Sequence, residues 1–264
     1  MKLAILFPGQ IRFIEKSYKY LEKNILKPLE ISNISVDIFI STDNINNGKI
    51  LKDPEELMNR CKKKYNDKLK DFVMEFKDEN FLRSRHDVDK KIGLINVEGK
   101  PNTSFYSGRE YQWKHLKNCF FLMKKFEQKN NFSYDYIIKS RTDHVHLVPL
   151  SNNIFNYLND SDVCIRKRKN IYNIPICDTF AIGKRKPMEI YCHTWDSIRT
   201  FRKPSPKRQG DEDMIKNNIG CNFACNEKQL YRHLNKNNID IIDLDKFGNY
   251  VSVLVREKTM DKLA

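Results

Sequence analysis

A continuous apolar run, Leu3-Ala4-Ile5-Leu6-Phe7, halted by Pro8-Gly9 and followed at once by a helical pattern and a second apolar run, restricts this chain to few architectures. Unbroken apolar residues suit a strand buried on both faces, because a strand with one wet face alternates. Ile14, Tyr18, Leu21 and Ile25 then recur at helical spacing, and Pro28 closes that pattern. Val36-Asp37-Ile38-Phe39-Ile40-Ser41 reads as a second strand, ending in the polar turn Thr42-Asp43-Asn44. Strand, helix, strand in this order is the sequence form of a parallel βαβ unit.

Beyond it, Leu57, Cys61, Tyr65, Leu69, Phe72 and Phe76 describe one apolar stripe of a long helix starting at Pro54. Residues 77–103 show no period. A second strong helix spans about 107–129, with Trp113, Leu116, Phe120 and Met123 on one face, and leads into a short central strand at Tyr136-Ile137-Ile138. Further strands are expected at 145–148, 163–165, 174–182, 239–244 and 251–255, and helices at 188–198, 214–219 and 227–234, with a basic loop at 203–210. Without a repeat or a hinge-like linker, the pattern predicts one α/β domain over 1–264, a Rossmann-like mixed sheet flanked by helices with an elaborated C-terminal half.

Composition narrows the function. The 264 residues carry 48 Lys+Arg against 34 Asp+Glu, a net charge of +14, and 40% hydrophobic residues suffice for a sizeable core. No apolar run approaches the roughly 20 residues of a spanning helix, and the stretch 3–8 is too brief for a signal-peptide core. Seven thinly spread cysteines suit a reducing compartment, and Cys221 and Cys225 read as core residues. These features predict a cytoplasmic protein, of the producing or host cell, whose basic surface permits peripheral contact with anionic lipid. The positive excess reads either as a solvated lysine-rich surface or as attraction to an anionic partner.

Chemistry is expected where strands end, since open α/β sheets bind ligands at the carboxyl ends of their strands. After the first strand, Gly9-Gln10-Ile11-Arg12 offers close backbone approach, free amides and a cation to a phosphate, or forms a plain tight turn. Asp43, after the second, suits a ribose or base edge, or an Asx turn. The third end, Lys139-Ser140-Arg141-Thr142-Asp143-His144-Val145-His146, is the most polar. Asp143 and His146 are metal-ligand types, while Lys139 and Arg141 suit a diphosphate; the plain alternative is a surface pair of Arg141 with Asp143. Asp178 interrupts an apolar strand, so its carboxylate must be paired or functional. Asp211-Glu212-Asp213 opens a helix, where carboxylates also serve simply as caps.

The order of Phe7-Pro8-Gly9-Gln10-Ile11-Arg12, Asp37-Ile38-Phe39-Ile40-Ser41-Thr42, Tyr134 to Asp143, and Asp178-Thr179-Phe180-Ala181-Ile182-Gly183 resembles nucleotide-sugar glycosyltransferases of the GT-A type. The nearest likeness is to the WavE-like relatives of polysaccharide gene clusters and large DNA viruses. The resemblance covers about residues 2–240. It implies a glycosyltransferase that moves a sugar from a nucleoside-diphosphate sugar to a saccharide or other hydroxyl acceptor, with a nucleotide-binding half (1–143) and an acceptor-binding half (144–264). It implies Mn2+ or Mg2+ held by an Asp-x-Asp motif, which here is Arg141-Thr142-Asp143, lacking the first carboxylate. Gly9, Gln10, Arg12, Asp43, Lys139 and Arg141 become the donor-binding candidates and Asp143 and His146 the metal candidates. For the acceptor proton the candidates are Asp213, then Glu212, while Asp178 ranks as sugar-binding before catalytic. Trp195 is an aromatic platform candidate, and His193 or His233 a late metal ligand.

A different class also fits the charge: a basic nucleic-acid-binding protein using the lysine-rich helices and the loop Arg202 to Arg208, or a transferase acting on nucleic-acid bases. Against nucleic acid stands the lack of aromatics interleaved with the basic residues and of any recognition motif. Cys221 and Cys225 lack partners at zinc-site spacing.

Overall fold

The computed structural model describes residues 1–46, 49–78, 107–167, 176–198, 226–247 and 252–254. β1 (Lys2–Pro8) leads through α1 (Ile14–Leu21), a π-helical turn (Glu22–Leu26) and α2 (Lys27–Ile31) into β2 (Ser35–Asp43). A small antiparallel pair, β3 (Ile45–Asn46) and β4 (Lys49–Ile50), precedes α3 (Pro54–Tyr65) and β5 (Leu69–Glu75). α4 (Ser107–Asn130) delivers β6 (Tyr136–Lys139), followed by β7 (His144–His146), α5 (Ile154–Tyr157), β8 (Asp162–Lys167) and β9 (Ile176–Lys184). α6 (Arg185–Cys192), α7 (Thr194–Ile198), α8 (Asn226–Lys236), β10 (Asp240–Asp243) and β11 (Ser252–Leu254) complete it.

Seven strands form one sheet in the order β10-β8-β9-β6-β1-β2-β5, and β7 pairs with β11 apart from it. Only β9 runs against its neighbours in that sheet; the other pairings are parallel. This α/β mixed sheet flanked by helices is compatible with a Rossmann-like fold. Numbered along the chain, β5, β2, β1 and β6 lie as 3-2-1-4, the order of a mononucleotide-binding half. The chain builds outward from β1 to β2 and β5, then returns to place β6 on the other side of β1. That reversal leaves a crevice beyond the carboxyl ends of β1 and β6.

Both faces of β1 are covered, which is why its run is unbroken. Leu3, Ile5 and Phe7 join one core with Ile14, Leu21, Ile25, Leu29, Cys61 and Tyr65, while Ala4 and Leu6 join the other with Trp113, Leu116, Phe120 and Met123. Each large side chain so enclosed contributes roughly 1.5–3 kcal/mol by leaving water. α3 is bounded by its own chemistry. The Asp53 carboxylate caps the Glu56 amide at 2.8 Å, Pro54 sits in the first turn, and Lys62, Lys63 and Lys64 face the negative end of the dipole.

Three expectations are corrected. The stripe 57–76 is not one helix: the chain leaves α3 at Asn66, which takes a φ of 48°, and Leu69–Glu75 becomes β5. Hydrogen bonding along the otherwise open edge of β2 outweighs the helical spacing. Pro28 does not close the first helix; it sits in the first turn of α2. The Asn24 carbonyl, four residues back, instead accepts the Leu150 amide at 2.8 Å, so nothing is left unpaired. The helix expected over 188–198 is two, α6 and α7, parted at His193. The first four strands read from the apolar runs and the long helix ending near 129 are where the spacing put them. The basic loop 203–210, the helix at 214–219 and Cys221 and Cys225 lie outside the described residues. Among the described residues no helix is long and apolar enough to cross a membrane.

Candidate functional site

The ends of β1, β2 and β6 are stitched together by their own polar groups. Gly9 donates its amide to the Ser41 carbonyl at 2.8 Å, and Ser140 donates to the Leu6 carbonyl at 3.0 Å. The Arg12 amide donates to Thr142 Oγ1 at 3.1 Å, that hydroxyl reaches the Gln10 carbonyl at 3.4 Å, and Ser17 Oγ bonds the Thr142 carbonyl. The turn after β1 and the turn after β6 therefore form one rigid rim. Gly9 has a φ of +88°, and a side chain there would meet no atom of the described residues within 4 Å. Its glycine is demanded by backbone conformation and not by crowding from those residues.

Charge on this rim is arranged in one direction. Arg141 clamps Asp143 with two bonds, Nε to Oδ1 and Nη2 to Oδ2, both 2.8 Å. The carboxylate is the hidden partner, with 5% of its side chain exposed against 27% for the guanidinium. Burial opposes the Arg141 charge, but Asp143 and Asp178 outweigh it and hold the guanidinium above its ordinary value. Arg12, half-buried beside it, donates to Gln10 Oε1, and its Nε has no hydrogen-bond partner among the described residues. Burial, with the Arg141 charge behind it, holds Arg12 below its ordinary value despite Asp143 and Asp43. A cleft of about 400 Å³ opens beside Arg12, lined also by Phe13, Leu51, Asp53 and Arg60.

Lys139 sits behind the rim. Its side chain is fully buried and its ammonium bonds the Asp178 carbonyl, so it contributes charge to the crevice without surfacing in it. Burial lowers its proton affinity, and Asp178 opposes that. The Asp178 carboxylate, on β9, accepts from Gln112 Nε2 at 2.9 Å, which satisfies the requirement that a carboxylate in an apolar strand be paired. Glu227, on α8, lies close enough to act on Lys139 as well.

Asp43 forms the Asx turn: Oδ1 accepts the Ile45 amide at 3.1 Å, and Oδ2 stands 3.6 Å from His115 Nε2. The other ring nitrogen, Nδ1, meets Ser41 Oγ at 2.9 Å. Sequence reasoning missed His115; the one available signal was a histidine amid the apolar stripe of α4. It also missed Glu75, which accepts from Lys77 and Lys114 at 2.7 Å and Asn118 at 2.9 Å and so ties β5 to α4.

His144 and His146 are buried side by side, ring centroids 4.7 Å apart, against Phe180. His146 Nε2 faces Ser140 Oγ at 3.3 Å, while His144 Nδ1 has no hydrogen-bond partner among the described residues. The described donor set does not fit a divalent cation. Both Asp143 oxygens are taken by Arg141, His146 is enclosed, and no group of three or more His, Cys, Asp and Glu side chains converges among the described residues. His193 and His233 belong to the helical layer instead. His233 bridges Ser197 and the Ile190 carbonyl at 2.7 Å each, and His193 packs between Phe120 and Phe121. Trp195 packs against the core on the α4 side. Asp213 and Glu212, the candidates for the acceptor proton, lie outside the described residues.

The structure thus brings together Gly9, Gln10, Arg12, Asp43, Arg141 and Asp143 at one rim, with Lys139, Asp178 and His146 beneath or beside it. Comparison with protein-family models gives no match, and comparison with curated proteins gives none either.

Proposed function

We propose that the chain is a GT-A-type glycosyltransferase, moving a sugar from a nucleoside-diphosphate sugar to a saccharide or other hydroxyl acceptor. One observation carries this reading. At the point where the sheet order reverses, Gly9 takes a positive φ with no described atom within 4 Å of a side chain there, and the Arg12 and Arg141 guanidinium groups of the same rim stand close enough to act on each other's charge. A dianionic diphosphate needs this combination of close backbone approach and fixed donors. The mixed sheet and the motif order from Phe7 to Gly183 agree with it.

In this reading the bond from the anomeric carbon to the diphosphate oxygen breaks, and a bond from that carbon to the acceptor oxygen forms. Negative charge builds on the leaving diphosphate, where Arg12 and Arg141 stabilise it without reorganising, since each is already held by its neighbour. The acceptor's proton passes to a carboxylate, for which Asp213 is the first candidate and Glu212 the second; Asp178 faces the sugar. Asp143 acts by holding Arg141.

Asp143→Ala removes that tether while leaving a cation with solvent access, so the fold persists. Release of nucleoside diphosphate from the preferred donor should fall about 100-fold or more. Near-normal release by a folded Asp143→Ala protein would overturn the assignment.

A further inference from the structure

Resting on the donor-binding reading above, we infer that the diphosphate is neutralised by guanidinium groups alone and that this site works without a divalent cation. The argument starts from which partner of the Arg141–Asp143 pair faces the crevice. A carboxylate that ligates a metal must present a lone pair to it. Here each Asp143 oxygen gives one lone pair to Arg141 at 2.8 Å, and the lone pairs that remain belong to the buried member of the pair. What the crevice presents is the guanidinium.

Arg141 carries five N–H donors, and Asp143 occupies two of them. The remaining three point away from the carboxylate in a plane fixed by the clamp, a geometry suited to two oxygens of one phosphate. Arg12 adds a second planar group on the same rim, joined through the Arg12 amide to Thr142, the residue between Arg141 and Asp143. Lys139 adds a buried positive charge beneath. An approaching dication is opposed by Arg12 and Arg141 on the rim and by Lys139 buried beneath them, whereas an approaching diphosphate meets donors.

The test is calorimetric titration of the full chain with UDP, GDP, CDP and ADP, in buffer containing EDTA and in buffer containing Mn2+. The best-binding nucleotide should have the same Kd in both, to within about threefold. Arg141→Lys, which keeps charge but loses the planar fork, should weaken it about tenfold in either buffer. Arg141→Asp, which supplies the missing acid, should lose binding in EDTA and recover it with Mn2+, and Mn2+ should raise the melting temperature of that variant and not of the wild type. Binding by the wild type only in Mn2+ overturns the inference and leaves the donor reading standing. Absence of binding by any nucleotide in either buffer overturns the donor reading, and this inference with it.

Discussion

Between pH 6.5 and 5 the burial of His144 and His146 as neutral rings is expected to cost the folded protein about 3 kcal/mol of stability. Burial pushes His144 down to about 3, with the charges of Lys139, Arg141 and Arg166 acting in the same direction, and burial pushes His146 well down with His144 beside it. The sign follows from linkage. In the unfolded chain both rings take up protons near pH 6.5, whereas in the folded one they do not, so stability is complete above 6.5 and declines as pH falls. Each ring contributes about half of 1.4 kcal/mol per pH unit at pH 6.5, rising towards the full value by pH 5. Urea unfolding at pH 7, 6 and 5 reads the slope directly. His144→Phe, which keeps a ring beside Phe180, should cut it by about a third to a half, since His233, also lowered by burial, adds to what remains; a slope unchanged by that substitution contradicts the buried neutral pair.

The second large effect concerns the clamp at the rim. Arg141→Ala leaves the Asp143 carboxylate buried with its two strongest hydrogen bonds removed, and the fold should lose about 2–3 kcal/mol, somewhat less than for a fully enclosed pair because the guanidinium is part-exposed. Adding Asp143→Asn to Arg141→Ala removes the stranded charge and should recover more than half of that loss. The coupling between the two positions, read as a double-mutant cycle by chemical denaturation, should exceed about 1 kcal/mol. Additive losses would mean that the pair contributes nothing as a pair. Donor binding should be lost in both variants, which separates the role of Arg141 in the fold from its role at the crevice.

Much of this architecture was legible in the sequence where burial is two-sided. Leu3 to Phe7 could be assigned because both faces of β1 are covered, and the stripe Trp113, Leu116, Phe120, Met123 because α4 presents one face to a core. Edge elements were not legible. The same residues that space Leu57 to Phe76 like a helix also form a half-buried strand, and what decides between them is the unpaired edge of β2, a partner some thirty residues away. Pro28 misled for a related reason: its unsatisfied carbonyl partner is met by Leu150, from a distant part of the chain.

At the site, residue types were legible and their distant partners were not. The strand-end rule selected Gly9, Arg12, Arg141 and Asp143, which do share one rim. The Arg141–Asp143 pair and the Asx turn at Asp43 were among the local alternatives, because both join residues two apart. The rule could not say that Lys139 would be sealed under the sheet end against Asp178, or that Asp43 would stand beside His115, since those contacts depend on what β9 and α4 bring across the sheet.

The account rests on the crevice between β1 and β6 being a donor site, and calorimetric titration of wild type and Gly9→Val with a panel of nucleoside-diphosphate sugars tests this most directly. The account predicts that one donor binds the wild type with a 1:1 stoichiometry. Gly9→Val, which forces a branched side chain into positive φ at the rim, should abolish that binding. No binding by any donor, or equal binding by Gly9→Val, would contradict it.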